Sequence, residues 1–140
     1  MYSLSSLVRE YGSFGELLKA IDEQLNTLRQ QLAEYLRRLE DVRAKAEQEK
    51  KLREFLKSLT GEETPPAGKV VDLKDIKLYI NPSAENEANL LTDLIDRINR
   101  SIQALQSARK YLEPLANLDI EAKITVIYRE GIPVAILIKY

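Results

Sequence analysis

A chain of 140 residues with net charge −1, 44% apolar and 31% charged, has the size of one ordinary domain and somewhat more charge than usual. The near balance of charge argues against a field that would draw in nucleic acid or anionic membrane without specific contacts. The absence of cysteine and histidine excludes disulfides, thiol nucleophiles and thiolate metal sites, and removes the usual general base and the usual zinc ligand at neutral pH.

The first residues, Met1-Tyr2-Ser3-Leu4, lack the basic region and long apolar core of a signal peptide. Leu4, Leu7, Val8 and Tyr11 share a face at helical spacing, so a short helix is expected over residues 3–11. Gly12 interrupts it. Ser13 and Glu16 have the spacing of a capping box, in which each side chain satisfies a backbone N–H of the other, and a new helix is expected there.

That helix dominates the sequence. Leu18, Ile21, Leu25, Leu28, Leu32, Tyr35, Leu39, Val42 and Ala46 follow one another in alternating steps of three and four, the a/d rhythm of a coiled coil. The pattern continues less regularly at Leu52, Phe55, Leu56 and Leu59, and neither proline nor glycine interrupts residues 16–60. At 1.5 Å per residue the helix is roughly 70 Å long. Its outer faces carry acid–base pairs four apart, such as Glu34/Arg38, Asp41/Lys45 and Glu49/Arg53, each worth a few tenths of a kcal/mol. Lys50, Lys51, Arg53 and Lys57 form a basic cluster, but acids are interleaved with it, which favours a solvated face over a binding patch.

Residues 60–68, TGEETPPAG, cannot continue a helix and read as a linker. Residues 69–80 read as strand. Val71 and Leu73 share one face, Ile76, Leu78 and Ile80 share another after a one-residue phase shift, and a turn or bulge is expected near Lys74-Asp75. Asn81 as cap and Pro82 as first residue open a second helix, with an apolar stripe from Leu91 through Leu94, Ile95, Ile98, Ile102, Leu105 and Ala108 to Leu112. Pro114 ends that helix or permits one further turn.

Residues 120–140 alternate strictly. Ile120, Ala122, Ile124, Val126 and Tyr128 are followed, after Arg129-Glu130-Gly131, by Ile132, Val134, Ile136, Ile138 and Tyr140. A three-residue loop with left-handed Gly131 would pair Tyr128 with Ile132, Val126 with Val134, Ile124 with Ile136, and Glu121 with Lys139.

The expected fold is α+β: a long heptad-patterned helix (residues 1–60 with its short leader), a Pro/Gly linker (61–68), and a β-α-β-β module with a three-stranded sheet (69–140). A second helix of this length covers about two thirds of the first, comparing the two at the same rise per residue. The remaining leucines would face water at roughly 1.5–3 kcal/mol each. A homodimer or higher oligomer joined along the nine-residue seam from Leu18 to Ala46 is therefore expected. The C-terminal strand is also a candidate sheet edge: Pro133 and Lys139 are devices that blunt such an edge, and the alternative is pairing with the same strand of another protomer through Val134, Ile136, Leu137 and Ile138.

No catalytic constellation emerges. Serines lack a base, Gly68-Lys69 lacks the rest of a phosphate-binding loop, and Asp72, Asp75, Asp93 and Asp96 lack a calcium-loop rhythm. No cofactor or metal is expected. The resulting expectation is a non-enzymatic cytoplasmic scaffold, filament accessory or segregation adaptor, which binds itself and a protein partner and no membrane. The charge-rich composition, with one methionine and no cysteine, matches that of proteins from thermophiles, archaea among them.

Two alternatives remain. Two heptad helices, Leu18 to Leu59 and Leu91 to Leu112, flank β material at Val70 to Ile80. In this plan the chain resembles prefoldin, which implies a holdase chaperone, although prefoldin-like chains end in their second helix and this one ends in a hairpin. A nucleic-acid-associated protein would have to use Arg37 to Lys57 as a basic stripe.

Overall fold

The structure is a computed structural model, and it describes residues 8–63, 68–118 and 122–140. Among the described residues the fold is α+β, with two helices and two small sheets. The elements in chain order are β1 (Val8–Tyr11), α1 (Phe14–Thr60), β2 (Lys69–Leu73), β3 (Ile76–Ile80), α2 (Ala84–Leu112), β4 (Lys123–Arg129) and β5 (Ile132–Lys139). By packing the chain falls into two compact units, one of residues 1–32 and 97–140, the other of residues 33–96.

In the first unit, β1, β4 and β5 form an antiparallel sheet in that order, with β4 central. Residues 8–11 are therefore strand and not the expected helix, while Leu4 and Leu7 lie outside the described residues. The local pattern is too short to choose a conformation, and the ladder to β4, from Val8↔Ile127 to Tyr11↔Ile124, decides it. The Tyr11 and Tyr128 hydroxyls add a hydrogen bond of 2.6 Å. One face of β4 is buried through Ile124, Val126 and Tyr128. Phe14, Leu17, Leu18, Ile21 and Leu25 of α1, and Ile98, Ile102, Leu105 and Leu112 of α2, complete this core. Asp22 and Arg109 join the two helices within the unit by a guanidinium–carboxylate pair with an N···O distance of 2.6 Å. That hydrogen bond and charge hold the Arg109 pKa above its ordinary value.

The start of α1 follows the expected capping box with one difference. The Glu16 N–H donates to Ser13 Oγ, and the Glu16 carboxylate accepts from the Gly12 N–H, one residue before the cap. After α2, Pro114 allows a single 3-10 turn, Glu113–Asn117.

The terminal hairpin has a different register from the one expected. Its loop has two residues, Glu130 and Gly131, both at positive φ, and Arg129 pairs with Ile132. An irregularity beside Ile127 and Tyr128 then inserts one residue into β5. Val126 consequently pairs with Ile136 and Ile124 with Ile138, two positions further along than Val134 and Ile136. Lys139 stands opposite Lys123, whose Nζ is 3.0 Å from a Glu10 carboxylate oxygen on β1; Glu121 lies outside the described residues.

In the second unit, β2 and β3 pair with each other in a separate two-stranded sheet. Residues 69–80 therefore form a hairpin, not one strand of a three-stranded β-α-β-β sheet, and no parallel crossover is built from them. The expected break at Lys74-Asp75 is the turn itself, with Lys74 at φ +65°. Gly61 closes α1 at φ +73° by donating its N–H to the Lys57 carbonyl. α2 is capped by Ser83 and not by Asn81: Ser83 Oγ accepts from the Asn86 N–H, while Asn81 is left-handed at φ +48°. A Glu49 carboxylate oxygen of α1 also accepts from the Ala84 N–H at 3.3 Å, which sets a negative charge at the positive end of the α2 dipole.

Candidate functional site

Burial along the seam shows how the single chain uses it. In the first unit Leu18, Ile21 and Leu25 are buried, and Leu28 and Leu32 half-buried. In the second, Leu39 is buried, and Tyr35, Val42 and Ala46 are half-buried. The next stretch of α1 is different. Leu52, Phe55 and Leu59 are all exposed, Leu59 to 67%. They follow one another at steps of three and four, so they form one stripe.

The β2–β3 hairpin adds to the apolar surface of the same unit. The pairs Val71↔Leu78 and Leu73↔Ile76, with Ile80 beyond them, lie on one face, because alternate residues of paired strands share a side. The two apolar sets that the phase shift separates along the sequence are brought together by the turn. Leu73, Ile76, Leu78 and Ile80 are exposed, Ile76 to 69%, while Val71 is half-buried. Leu90 and Leu94 of α2 are exposed in this unit as well. A two-stranded hairpin is marginal in water by itself, and it needs a covered apolar face to be stable.

The first unit has its own uncovered apolar strip. β5 is a sheet edge, and Val134, Leu137 and Ile138 on it are exposed, while Ile136 is half-buried. Ala108, Tyr111 and Leu112 of α2 and Pro133 to Ile136 of β5 line a groove of about 300 Å³ along that edge, and Tyr111 is 79% exposed. A smaller cleft of about 210 Å³, lined in part by Arg9 and Tyr11 of β1, has mixed walls. Arg9, Glu23, Gln24 and Thr27 are polar there, and Ile21 and Leu105 are apolar.

The polar side chains show another distribution. Among the described residues no polar or charged side chain is buried, and no group of three or more acidic residues could hold a metal ion. Asp72 lies on β2 and Asp75 in the exposed hairpin turn, and Asp93 and Asp96 lie on the exposed side of α2. In the basic cluster, Lys57 Nζ is 3.0 Å from a Glu63 carboxylate oxygen and both side chains are exposed, as a solvated face requires. No helix among the described residues is long and apolar enough to cross a membrane.

Sequence reasoning identified the β5 edge but missed the hairpin face. The signal for it was present in the phase shift at Lys74-Asp75, since a two-residue turn between two alternating runs folds both onto one side. In comparisons with known proteins no family model matches the chain, and neither a curated protein nor a solved structure is found similar to it.

Proposed function

We propose that the chain is a non-enzymatic adaptor or scaffold that associates with copies of itself and docks a protein partner. The observation that carries this reading is the uncovered apolar face of the β2–β3 hairpin, Leu73, Ile76, Leu78 and Ile80. Burial of these side chains is worth roughly 1 kcal/mol each even if half of each is already covered, and contiguous apolar patches on soluble proteins mark interaction sites. Self-association is supported by the apolar surface that the single chain leaves uncovered, Leu52, Phe55 and Leu59 of α1 and Val134, Leu137 and Ile138 of β5, since the seam from Leu18 to Ala46 is buried or half-buried within the chain itself. The test is photo-crosslinking in the source cells from a reactive residue introduced at Ile76. One recurring protein is the expected product, and no crosslinked protein at all would remove the partner-binding reading.

The prefoldin-like holdase is kept as a second reading, because an apolar hairpin lies between two long helices in the chain. The same crosslinks would then be spread over many unrelated proteins. The chain would also suppress aggregation of a chemically denatured model client, and Leu73→Ser/Ile76→Ser would abolish that suppression.

A further inference from the structure

We infer that β5 is the self-association element: two copies pair their β5 strands antiparallel about a twofold axis at Leu137, making one continuous six-stranded sheet. This rests on the self-association half of the reading above and assigns it a place.

The two edges of the sheet differ. Among the described residues β1 carries Arg9 and Glu10, the latter held by Lys123. Short length and charge are the usual protections of an edge. β5 has eight residues and no acid, and its single charge is Lys139 at the end. Its apolar stretch from Val134 to Ile138 has neither protection.

The register follows from the ladder. A two-residue turn is closed by a hydrogen-bonded pair, here Arg129 and Ile132, and antiparallel pairs then alternate. Counting back along β4, Ile127 and Thr125 direct their N–H and C=O groups toward β5, whereas Val126 and Ile124 direct theirs away from it. The partners of those two residues, Ile136 and Ile138, therefore turn their own backbone groups outward, to the open edge. Centring the twofold on Leu137 sets Ile136 of each copy against Ile138 of the other, so that both outward-facing residues bond. The inserted residue and Pro133 stay out of the new ladder. Lys139 meets Ala135 and no second lysine, which avoids a like-charge pair.

The occupant is a second copy because the strand complements itself in this register, and because such an assembly closes. An isologous twofold contact uses one patch on both subunits. The resulting sheet ends in two copies of β1, the edge that carries Arg9 and Glu10, so growth stops at two. A twofold axis perpendicular to the sheet keeps both helix-covered faces on the same side. The two apolar grooves then meet across the junction, and both Tyr111 rings close over it.

The chain has no cysteine, so an introduced one reports alone. Leu137→Cys brings two thiols opposite each other across a non-hydrogen-bonded pair, within the Cα separation that a disulfide accepts. Ala135→Cys does not, because its partner there is Lys139. Ile138→Pro removes an N–H that points to the open edge, and leaves the β4 ladder intact. The experiment is light scattering over a concentration series, with non-reducing electrophoresis of both cysteine variants after mild oxidation. The expected result is twice the chain mass for the natural sequence, a covalent dimer for L137C and none for A135C. I138P is expected to be a monomer with unchanged helical circular dichroism. A monomer at every concentration overturns both this inference and the self-association reading. An oligomer that I138P leaves intact and L137C does not crosslink overturns the β5 contact alone.

Discussion

A side chain at position 68 would run into the Asn81 carbonyl, and Gly68 also holds φ +106°. Gly68→Ala therefore combines backbone strain with a clash against main chain, and should cost about 1–3 kcal/mol in urea unfolding. Gly61→Ala shares the positive φ but has open space around its Cβ, so it should cost less. Core truncation works differently. Leu17 is completely buried, and Leu17→Ala should lose about 2–5 kcal/mol. Leu59→Ala, at a position 67% exposed, should leave the stability of the single chain nearly unchanged. The Asp22–Arg109 pair is partly exposed on both sides, so Asp22→Asn should destabilise the chain at low ionic strength. That effect should shrink at about 1 M salt, where the screening length falls to ~3 Å. The Asp22 hydrogen bond and charge hold the Arg109 pKa above its ordinary value, so the stability this adds is present below the ordinary, unfolded pKa and lost only as pH rises past the folded one, and the guanidinium stays charged at every usable pH.

At the scale of elements, the hairpin and the central strand should differ most in dynamics. The faces of β2 and β3 are exposed or half-buried throughout, whereas β4 carries Ile124, Val126 and Tyr128 in the core. Native-state hydrogen exchange should therefore find the amides of β2 and β3 opening with a much smaller free energy than those of β4. Association that covers the hairpin would raise its protection selectively. The same contrast explains how much of the fold was legible in the sequence. The helices could be read because long periodic stripes and a capping box are local signals, and β4 and β5 because their alternation is strict. The β1 strand could not be read, since four residues with sequence VREY become a strand only through a partner over a hundred positions away. The β5 register was hidden too, because one inserted residue moves all later pairs, and several residues of that strand could accept it. The hairpin face was misjudged for a third reason. The phase shift is compatible with a turn or with a bulge, and only the turn folds the two apolar runs onto one side. Of the candidate surfaces, then, the edge was visible in the strand pattern, while the hairpin face appears only once the turn has brought its two halves together.

For the molecule as a whole, the two compact units differ in how the chain builds them. Residues 33–96 form one unit from a continuous stretch, whereas the other unit joins residues 1–32 to residues 97–140. Disruption of the hairpin and of the sheet edge should therefore be separable. The Leu73→Ser/Ile76→Ser pair should alter partner capture while the solution mass stays that of the natural chain, and Ile138→Pro should do the reverse; both are read by crosslinking and light scattering on the same preparations. The discontinuous unit also sets a timetable for synthesis. Tyr11 and Tyr128, bonded through their hydroxyls, are 117 positions apart. A ribosome making about 5–20 residues per second needs roughly 6–23 s to pass from one to the other. Through that interval β1 has no β4 to pair with, and the apolar start of α1, once it has left the tunnel, lacks its cover. The continuous unit is finished first, and the sheet closes only once β4 and β5 have emerged.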